Sequence, residues 1–414
     1  MDATRLFLIG ALMLPRIESS KLIFFLVDGF RWDYFQLHDL RMKGFTRLFQ
    51  QGTRAEWMVP DFPTNSVPNY KTLETGLHVE NHGMVGNYMY DETSGNHFKL
   101  SLDNPASFDP TWWNRSESFF ITAEKQGIRT GLYNVRGCNI EIDSTVPTFC
   151  LPYTKIPSKV ETDWAISDAL EKMRDDKLDI AYIYHENVDS MGHYHGPNSK
   201  QVHHAVEEVD NHIDKMLDII EGRNQDNVDV IVLSDHGMST IDKLHKINIT
   251  EALDMRYIKE ITEGGTQVYI WPESGKGKHV YDKLKSFHRH LRVYLRDEII
   301  DRWFFKKHSL IPPIYLTSDK GWYIVHPKSP AGYFDSTENL MLGNHGFDND
   351  DHDMRSIFLA YGPDFRDGYI AKPFSNVNVY QIICYVTGIN ARANNGTWSE
   401  VKDMLVDRKQ HSEL

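Results

Sequence analysis

Cysteine is scarce in this chain, with three residues among 414. So low a content excludes a small scaffold in which disulfides replace a hydrophobic core. Cys138 and Cys150 are close enough in sequence to close a single loop in an oxidising compartment, whereas Cys384 lies in an apolar run that predicts a buried thiol. We therefore expect one disulfide at most, between Cys138 and Cys150.

An excess of positive charge is also lacking. Lys and Arg total 45 against 58 Asp and Glu, which gives a net charge of -13. This charge would repel a polyanion, so a nucleic-acid polymer is a poor substrate candidate, whereas a small phosphodiester could still be held by bound metal ions. Beyond the first residues no apolar run reaches the roughly 18 to 20 residues of a membrane-spanning helix, and the C-terminus lacks the hydrophobic tail of a lipid-anchor signal.

The N-terminus indicates export. Residues 1–20 contain a short apolar run, Leu6 to Pro15, between polar flanks, which predicts a signal peptide; the alternative is a first buried element of the fold. Three Asn-x-Ser/Thr tripeptides predict glycosylation sites at Asn114, Asn248 and Asn395. We therefore expect a protein of the secretory pathway, secreted or held at the extracellular surface.

The last four residues give a weaker indication of compartment. His-Ser-Glu-Leu loosely resembles an endoplasmic-reticulum retrieval signal, but Ser412 stands where that signal usually has an acidic residue. Retention in the endoplasmic reticulum is therefore the lesser alternative.

Hydrophobic patterning favours a doubly wound α/β fold. A hydrophobic content of 41% can bury a large core, and helical patterns, the clearest from Gln201 to Glu221, separate apolar β-rich runs. The predicted strands of a largely parallel sheet are Leu22–Val27, Ile180–Tyr184, Val228–Leu233 and Ile357–Tyr361. We expect one catalytic domain over residues 21–400, with an inserted cap or subdomain at about 253–328, and a tail from 401 to 414.

Acidic residues follow the predicted strands. Asp28 comes directly after the first strand, Asp235 closely after the third, and Asp189 five residues after the second. Because parallel strands end at one edge of a sheet, these carboxylates are expected to converge there. Asp28 with the glycine after it would also fit an ordinary strand-to-turn transition.

Histidines accompany two of these acids. A spacing of four places Asp189 and His193 on one side of a helical turn, close enough to share a metal; a solvated surface turn is the alternative. Asp235 and His236 are adjacent, so both side chains can reach one site only where a strand ends in a turn. The alternative is a helix start capped by Asp235.

Two further residues are candidates for the same site only because the other motifs are present. His345 lies in a predicted loop with a glycine directly after it and another two residues before it. Without the other motifs, it would be interpreted as an exposed surface histidine. Ser66 precedes a predicted helix at Lys71 to Thr75, where backbone N–H groups could face a phosphate, although a helix cap is the simpler interpretation. A serine hydroxyl needs a base or metal to become a nucleophile.

Taken together, three carboxylates, three imidazoles and one hydroxyl form a sulfur-free set that suits Zn²⁺. Two divalent metals beside a nucleophile are typical of phosphoryl-transfer chemistry. The predicted ligand set is Asp28, Ser66, Asp189, His193, Asp235, His236 and His345.

In motif content and order, residues 21 to 398 resemble the ectonucleotide pyrophosphatase/phosphodiesterase family of the alkaline phosphatase superfamily. The resemblance implies an alkaline-phosphatase-like fold and two zinc ions, with Asn87 holding a phosphate oxygen. It assigns one zinc to Asp28, Ser66, Asp235 and His236, and the other to Asp189, His193 and His345. It also implies a covalent phosphoserine at Ser66, which water then hydrolyses.

Within the family, the chain most resembles the short, choline-specific members. The likeness rests on Ser66 and on the motifs around Tyr88, Trp112, Cys150 and Asp189. It implies hydrolysis of glycerophosphocholine or lysophosphatidylcholine to phosphocholine, and aromatic contacts with the quaternary ammonium. The candidate contacts are Tyr184, Tyr153 and Phe120, each of which could instead be core packing.

Three other functions compete with the choline hydrolase. The alternative that shares its two-metal core is a nucleotide pyrophosphatase/phosphodiesterase. A sulfatase is disfavoured because Ser66-Val-Pro68 is followed by Asn69 and Tyr70 and not by that enzyme's signature, and a non-catalytic binding protein is disfavoured because no ligand is missing. A homodimer is a further expectation from the family.

Overall fold

The computed structural model describes residues 20–36, 42–101, 104–328 and 341–407. The predicted signal peptide and the end of the tail, from 408, lie outside these ranges, apart from Ser20.

The strands, in chain order, are β1 Lys21–Val27, β2 Thr53–Ala55, β3 Met58–Val59, β4 Tyr88–Tyr90, β5 His97–Lys99, β6 Thr130–Val135, β7 Phe149–Pro152, β8 Ile180–His185, β9 Val228–Leu233, β10 Ser239–Thr240, β11 Lys246–Asn248, β12 Ile258–Thr262, β13 Gln267–Pro272, β14 Leu291–Leu295, β15 Ile314–Ser318, β16 Tyr323–Val325, β17 Gly343–Asn344, β18 Phe358–Tyr361, β19 Tyr369–Ala371 and β20 Phe374–Ser375.

Eleven α-helices lie in the described ranges. They are α1 Lys43–Gln51, α2 Ser66–Thr75, α3 Val79–His82, α4 Pro110–Trp113, α5 Phe119–Lys125, α6 Lys159–Arg174, α7 Asn187–His195, α8 Lys200–Gly222, α9 Gly277–Lys285, α10 Val379–Thr387 and α11 Trp398–Val401. In the described ranges, no helix combines the length and apolarity needed to cross a bilayer.

The main sheet has eight strands in the order β19-β2-β18-β9-β1-β8-β6-β7. Its centre is parallel, because β1 pairs in parallel with both β8 and β9, and β6 pairs in parallel with β8 and β7. The predicted α/β fold with a largely parallel sheet is therefore confirmed. The fourth predicted strand is β18, which begins at Phe358 and runs antiparallel to β9.

Side-chain alternation along β1 builds a core on each face of the sheet. Leu22, Phe24 and Leu26 join the core that includes residues of α5 and α10, whereas the residues between them join the core that includes residues of α1, α6 and α8. Helix α8 buries apolar residues at three- and four-residue steps, as its sequence predicts, and the Ser199 hydroxyl caps it by accepting from the Val202 N–H.

Helix α2 is longer than its sequence predicts. The prediction began at Lys71, after Pro68, but the structure begins the helix at Ser66. Proline is tolerated in the first helical turn because an N–H in that turn has no carbonyl partner within the helix. Ser66 is therefore a helical residue, and the N-cap is Asn65, whose side chain makes no capping hydrogen bond.

A second, four-stranded sheet lies within the segment predicted as an inserted cap. Strands β12, β13, β15 and β14 pair antiparallel in that order, and residues of α9 share a core with them. The limits of this insertion, of the catalytic domain and of the tail stay predictions.

Features connected with export can be located in part. Cys138 and Cys150 form the expected disulfide, and Cys384 is a buried free thiol. Asn114 and Asn395 are exposed and Asn248 is half-buried, so glycosylation at these sites stays a prediction.

Gly29, in the turn after β1, offers a test of backbone packing. Its φ is +68°, and a Cβ added there would lie 2.8 Å from both Cα and Cβ of Asp189. We expect Gly29→Ala to lower the free energy of unfolding by at least about 2 kcal/mol, because left-handed strain and a steric conflict combine. Urea denaturation would measure the loss.

Gly222→Ala is the matched control for this experiment. Gly222 ends α8, and an added Cβ would meet no atom within 4 Å. We expect this variant to be as stable as the parent or slightly more stable. Equal stability of the two alanine variants would contradict the packing argument.

Candidate metal and phosphate site

Three carboxylates meet at the carboxyl edge of the main sheet. Asp28 directly follows β1, Asp235 follows β9, and Asp189 lies in α7, the helix after β8. All three are buried. The parallel pairing of β1 with β8 and β9 brings their ends side by side, as the sequence predicts.

One group of possible ligands surrounds His236. Its Nε2 lies 3.1 Å from Asp235 Oδ2 and 3.5 Å from Asp28 Oδ1. The Ser66 Oγ is 3.2 Å from the same nitrogen. The turn after β9 lets the adjacent Asp235 and His236 point into the same group. No helix starts at this turn, so Asp235 is not a helix cap.

A second group surrounds Asp189. Its two carboxylate oxygens lie 3.4 Å from His193 Nε2 and 3.7 Å from His345 Nε2. Asp189 and His193 share α7, and His345 is buried instead of exposed. The groups adjoin, because the rings of His236 and His345 stack with centroids 3.6 Å apart. The structure thus brings all seven predicted side chains together.

The three histidines are oriented in the same way. Each Nδ1 lies within hydrogen-bonding distance of a backbone carbonyl: Gly237 for His236, Gly343 for His193 and Thr64 for His345, at 2.9, 3.0 and 2.9 Å. When Nδ1–H donates to such a carbonyl, Nε2 keeps its lone pair, which is the usual arrangement of metal-binding histidines.

Buried polar atoms in this site lack partners that a cation would supply. Oδ1 of Asp28, Oδ1 of Asp189 and Oδ2 of Asp235 are buried and accept no hydrogen bond. Burial raises the pKa of Asp28 and Asp189 well above their usual value, and that of Asp235 to about 7. Burial also lowers the pKa of all three histidines. Uncompensated carboxylates beside neutral imidazoles fit two divalent cations.

Ser66 lies at the N-terminus of α2, beside a suitable hydrogen-bond donor. Asn87 Oδ1 accepts from the Val67 N–H at 2.9 Å, which leaves the Asn87 NH₂ group as a donor near the start of the helix. The helix dipole and this amide both favour an anion in front of Ser66.

Tyrosines hold Asp28 in place, a role that was not predicted from the sequence. The Tyr184 hydroxyl donates to Asp28 Oδ2 at 2.6 Å, and Tyr70 donates to the same oxygen. Tyr70 follows Ser66 by four residues in α2 and therefore shares its helix face, a spacing that could have revealed it. Tyr184 thus anchors a candidate metal ligand, and its predicted contact with choline stays a prediction.

The second sheet supports the loop that carries His345. The Thr266 hydroxyl donates to the His345 carbonyl at 2.8 Å, and Gln267 Nε2 donates to the Gly346 carbonyl. Glu263 accepts from the Tyr88 N–H, next to Asn87, at 2.9 Å. This segment carries no ligand motif, so its contribution to the site was not predicted.

A partly apolar pocket adjoins α2 and Tyr184. It is lined by Val67, Tyr70, Lys71, Glu74, Met84, Trp113, Val135, Arg136, Tyr182 and Tyr184. The other two predicted choline contacts do not line it. The Arg136 guanidinium covers the ring of Tyr153 at 3.6 Å, and Phe120 packs against core residues.

Comparison with known proteins identifies the family. The family model described as type I phosphodiesterase/nucleotide pyrophosphatase matches residues 22–348. The chain belongs to this family. Its fold, with the buried carboxylates and histidines at the edge of the sheet, is therefore that of a phosphodiesterase/pyrophosphatase.

Curated relatives align along nearly the whole chain. Ectonucleotide pyrophosphatase/phosphodiesterase family member 5 of Homo sapiens is 30% identical over 94% of this chain and 78% of its own length. A bis(5'-adenosyl)-triphosphatase of Xenopus laevis is 33% identical, over 94% and 83%. Family member 7 of Homo sapiens is 32% identical, over 96% and 86%.

Solved structures of family members superpose closely on this fold. Human ectonucleotide pyrophosphatase/phosphodiesterase 5 gives a TM-score of 0.86 at 29% identity, over 94% of this chain and all of that one. An inactive form of the murine protein, solved in complex with AMP, gives 0.85 at 30% identity over the same shares.

These relatives correct one expectation. The sequence motifs predicted that the chain lies nearest the choline-specific members, but the similar proteins include family member 5, the triphosphatase and family member 7. The nucleotide alternative therefore fits better than the choline assignment. The motifs used for the assignment include Tyr184, whose hydroxyl binds Asp28 and so concerns the metal site more than the substrate.

The raised pKa of Asp235 predicts how the metal-free protein responds to pH. An aspartate normally titrates near 3.8, and burial raises this one to about 7. The folded state therefore holds the proton more tightly, so this group's contribution to stability is complete below about pH 4 and is lost as the pH rises through about 7.

Metal-free Asp235→Asn should accordingly be more stable than the metal-free parent near pH 8, by a few kcal/mol at about 1.4 kcal/mol per pKa unit. The difference should disappear towards pH 4, and added Zn²⁺ should favour the parent. Denaturant unfolding after chelation would measure it. Asp367→Asn provides the control, because Asp367 is exposed. Its stability relative to the parent should not change with pH in this way.

Proposed function

We propose that this protein is a zinc-dependent hydrolase of small nucleotide phosphodiesters or phosphoanhydrides, with Ser66 as nucleophile. The observation that carries the proposal is the proximity of the Ser66 hydroxyl to three buried, partnerless carboxylate oxygens and three aligned imidazoles. The relatives, which include a bis(5'-adenosyl)-triphosphatase, support the nucleotide class.

Each candidate metal group has its own residues. Asp28, Asp235 and His236, with Ser66, would hold one zinc, and Asp189, His193 and His345 the other. When bound, the two cations would favour the deprotonated hydroxyl and stabilise negative charge on phosphoryl oxygens. No side chain at the site needs to act as a general base, which suits histidines whose pKa is lowered by burial.

The reaction then proceeds by two displacements. Ser66 Oγ loses its proton to solvent and bonds to phosphorus, the bond to the leaving oxygen breaks, and that oxygen takes a proton from water. Water next attacks phosphorus from the vacated side, the Oγ–P bond breaks and Ser66 regains a proton. The net reaction consumes one water and releases a phosphomonoester. The Asn87 amide and the N-terminus of α2 stabilise charge on the phosphate throughout.

The pocket beside α2 bears on the organic part of the substrate. Trp113 and Tyr182 line it, and the Arg136 guanidinium supplies a positive charge. A quaternary ammonium would be repelled by Arg136 and finds the ring of Tyr153 already covered. These contacts weigh against glycerophosphocholine and lysophosphatidylcholine as the preferred substrates.

Export remains part of the proposal. The Cys138–Cys150 disulfide suits an oxidising compartment, and the names of the relatives place them among ectonucleotide enzymes. A secreted or extracellular protein would meet phosphodiesters outside the cell. The homodimer expected from the family stays a prediction.

Ser66→Ala should lower diesterase activity at least about 10³-fold, since the nucleophile is lost. The fold and bound zinc should persist, because three other residues hold each metal group together. Steady-state assays with a nitrophenyl nucleotide ester, alongside zinc analysis, would measure both.

Ser158→Ala is the matched control, because Ser158 also stands at a helix start. Its hydroxyl accepts from the Glu161 N–H in a capping box. Its loss should cost about 1 kcal/mol of stability and leave turnover unchanged. Substantial turnover by Ser66→Ala would refute the covalent route.

A substrate panel tests the nucleotide assignment directly. We expect the purified protein to hydrolyse a dinucleoside polyphosphate or a nucleotide ester with a kcat/KM at least tenfold above that for glycerophosphocholine or lysophosphatidylcholine, about 1.4 kcal/mol of discrimination. Activity should disappear with a zinc chelator and return with Zn²⁺. Preference for the choline esters would overturn the assignment, and full activity of the chelated protein would overturn the metal requirement.

A further inference from the structure

A second cluster of metal-ligand type lies outside the site described above. It comprises His185, Glu208 and His212, each with a ligand atom within 4.8 Å of the others. His185 ends β8 and is adjacent to Tyr184, which contacts Asp28. Successive strand residues face opposite sides, so His185 faces α6 and α8, behind the proposed catalytic site.

The two imidazoles of this cluster have partnerless nitrogens. Both rings are 0% exposed, and neither Nε2 has a hydrogen-bond partner. Their Nδ1 atoms are occupied: that of His185 lies 3.1 Å from Thr162 Oγ1, and that of His212 lies 2.7 Å from Asp163 Oδ1. With Nδ1–H donating, each Nε2 carries a lone pair directed into the cluster.

The third member, Glu208, supplies a negative charge to these nitrogens. Its Oε1 lies 3.9 Å from His185 Nε2 and 3.8 Å from His212 Nε2, which is too long for hydrogen bonds. Ligands bound tetrahedrally to zinc at about 2.0 to 2.1 Å lie roughly 3.3 to 3.4 Å apart. A contraction of about half an ångström would therefore bring Glu208 Oε1 to this spacing from both imidazole nitrogens, which lie within 4.8 Å of each other. The Glu208 side chain is 22% exposed, which leaves a route for an ion and for a water ligand.

We propose that His185, Glu208 and His212 form an additional divalent-cation site of the zinc class, separate from the two metal groups around Ser66. The donor set is two imidazoles and one carboxylate, and Asp163 stands behind His212 as the outer carboxylate typical of zinc-binding histidines. A cation there accounts for both buried nitrogens that otherwise have no partner.

The site would join three elements that position the catalytic edge. His185 comes from β8, Glu208 and His212 from α8, and their outer partners from α6. The His185 carbonyl also accepts the Asp28 N–H at 2.9 Å. A bound ion would fix the end of the strand that precedes Asp189, so its role is structural.

Zinc content tests the proposal in the full-length protein. Parent and variants are equilibrated with Zn²⁺, freed of excess metal and analysed for zinc per chain, with circular dichroism to verify the fold. Glu208→Gln keeps the side-chain volume at a partly exposed position and should bind one equivalent less than the parent. His212→Gln should lose the same equivalent by removing a different ligand.

His204→Gln is the matched control, because His204 is on α8 with its side chain 80% exposed. It should retain the parent's zinc. The double variant Asp189→Asn/His193→Ala should lose zinc from the catalytic edge. Adding Glu208→Gln to this double variant should remove one further equivalent of zinc.

The outcomes separate this proposal from the proposed function. A folded Glu208→Gln protein with the parent's zinc content would overturn the additional site, whatever the activity. A parent that shows the Glu208-dependent equivalent but hydrolyses no phosphodiester would leave the site supported and refute the function. A loss of zinc in His204→Gln equal to that in Glu208→Gln would also overturn the assignment.

Discussion

Three buried carboxylates of like charge are the constraint on which the rest of this structure depends. Asp28, Asp189 and Asp235 each keep an oxygen without a partner, in surroundings where burial strongly raises their pKa. Such a cluster is unfavourable unless cations compensate it. The uniformly oriented histidines complete two candidate groups of metal ligands, and cations bound there would offset the cost of burying the acids.

The surrounding elements serve this edge of the sheet. The parallel strands deliver the acids, α2 presents Ser66, and Gly29 lets Asp189 approach the backbone closely. The second sheet holds the His345 loop through hydrogen bonds from Thr266 and Gln267. The cluster behind β8 would extend the same logic, because a cation there would fix the strand from the opposite face.

The reaction and the substrate depend on different parts of the molecule. In the proposed mechanism the metal groups and Ser66 carry out the phosphoryl transfer, and these residues occur in short motifs. The proposed recognition of the organic group rests on the pocket beside α2, next to which Arg136 covers Tyr153 and Tyr184 is bound to Asp28. The same aromatic residues therefore suggested choline as sequence motifs, yet their contacts weigh against it.

The sequence by itself determined the α/β fold, the central strands, the disulfide and the identity of the seven clustered side chains, because strand ends, helical spacing and adjacent Asp and His are local signals. Only the tertiary structure decided that α2 starts at Ser66, that tyrosines anchor Asp28, and that His185 meets Glu208 and His212. These facts arise from contacts between residues distant in the chain, and no local pattern encodes which neighbour a buried polar atom finds.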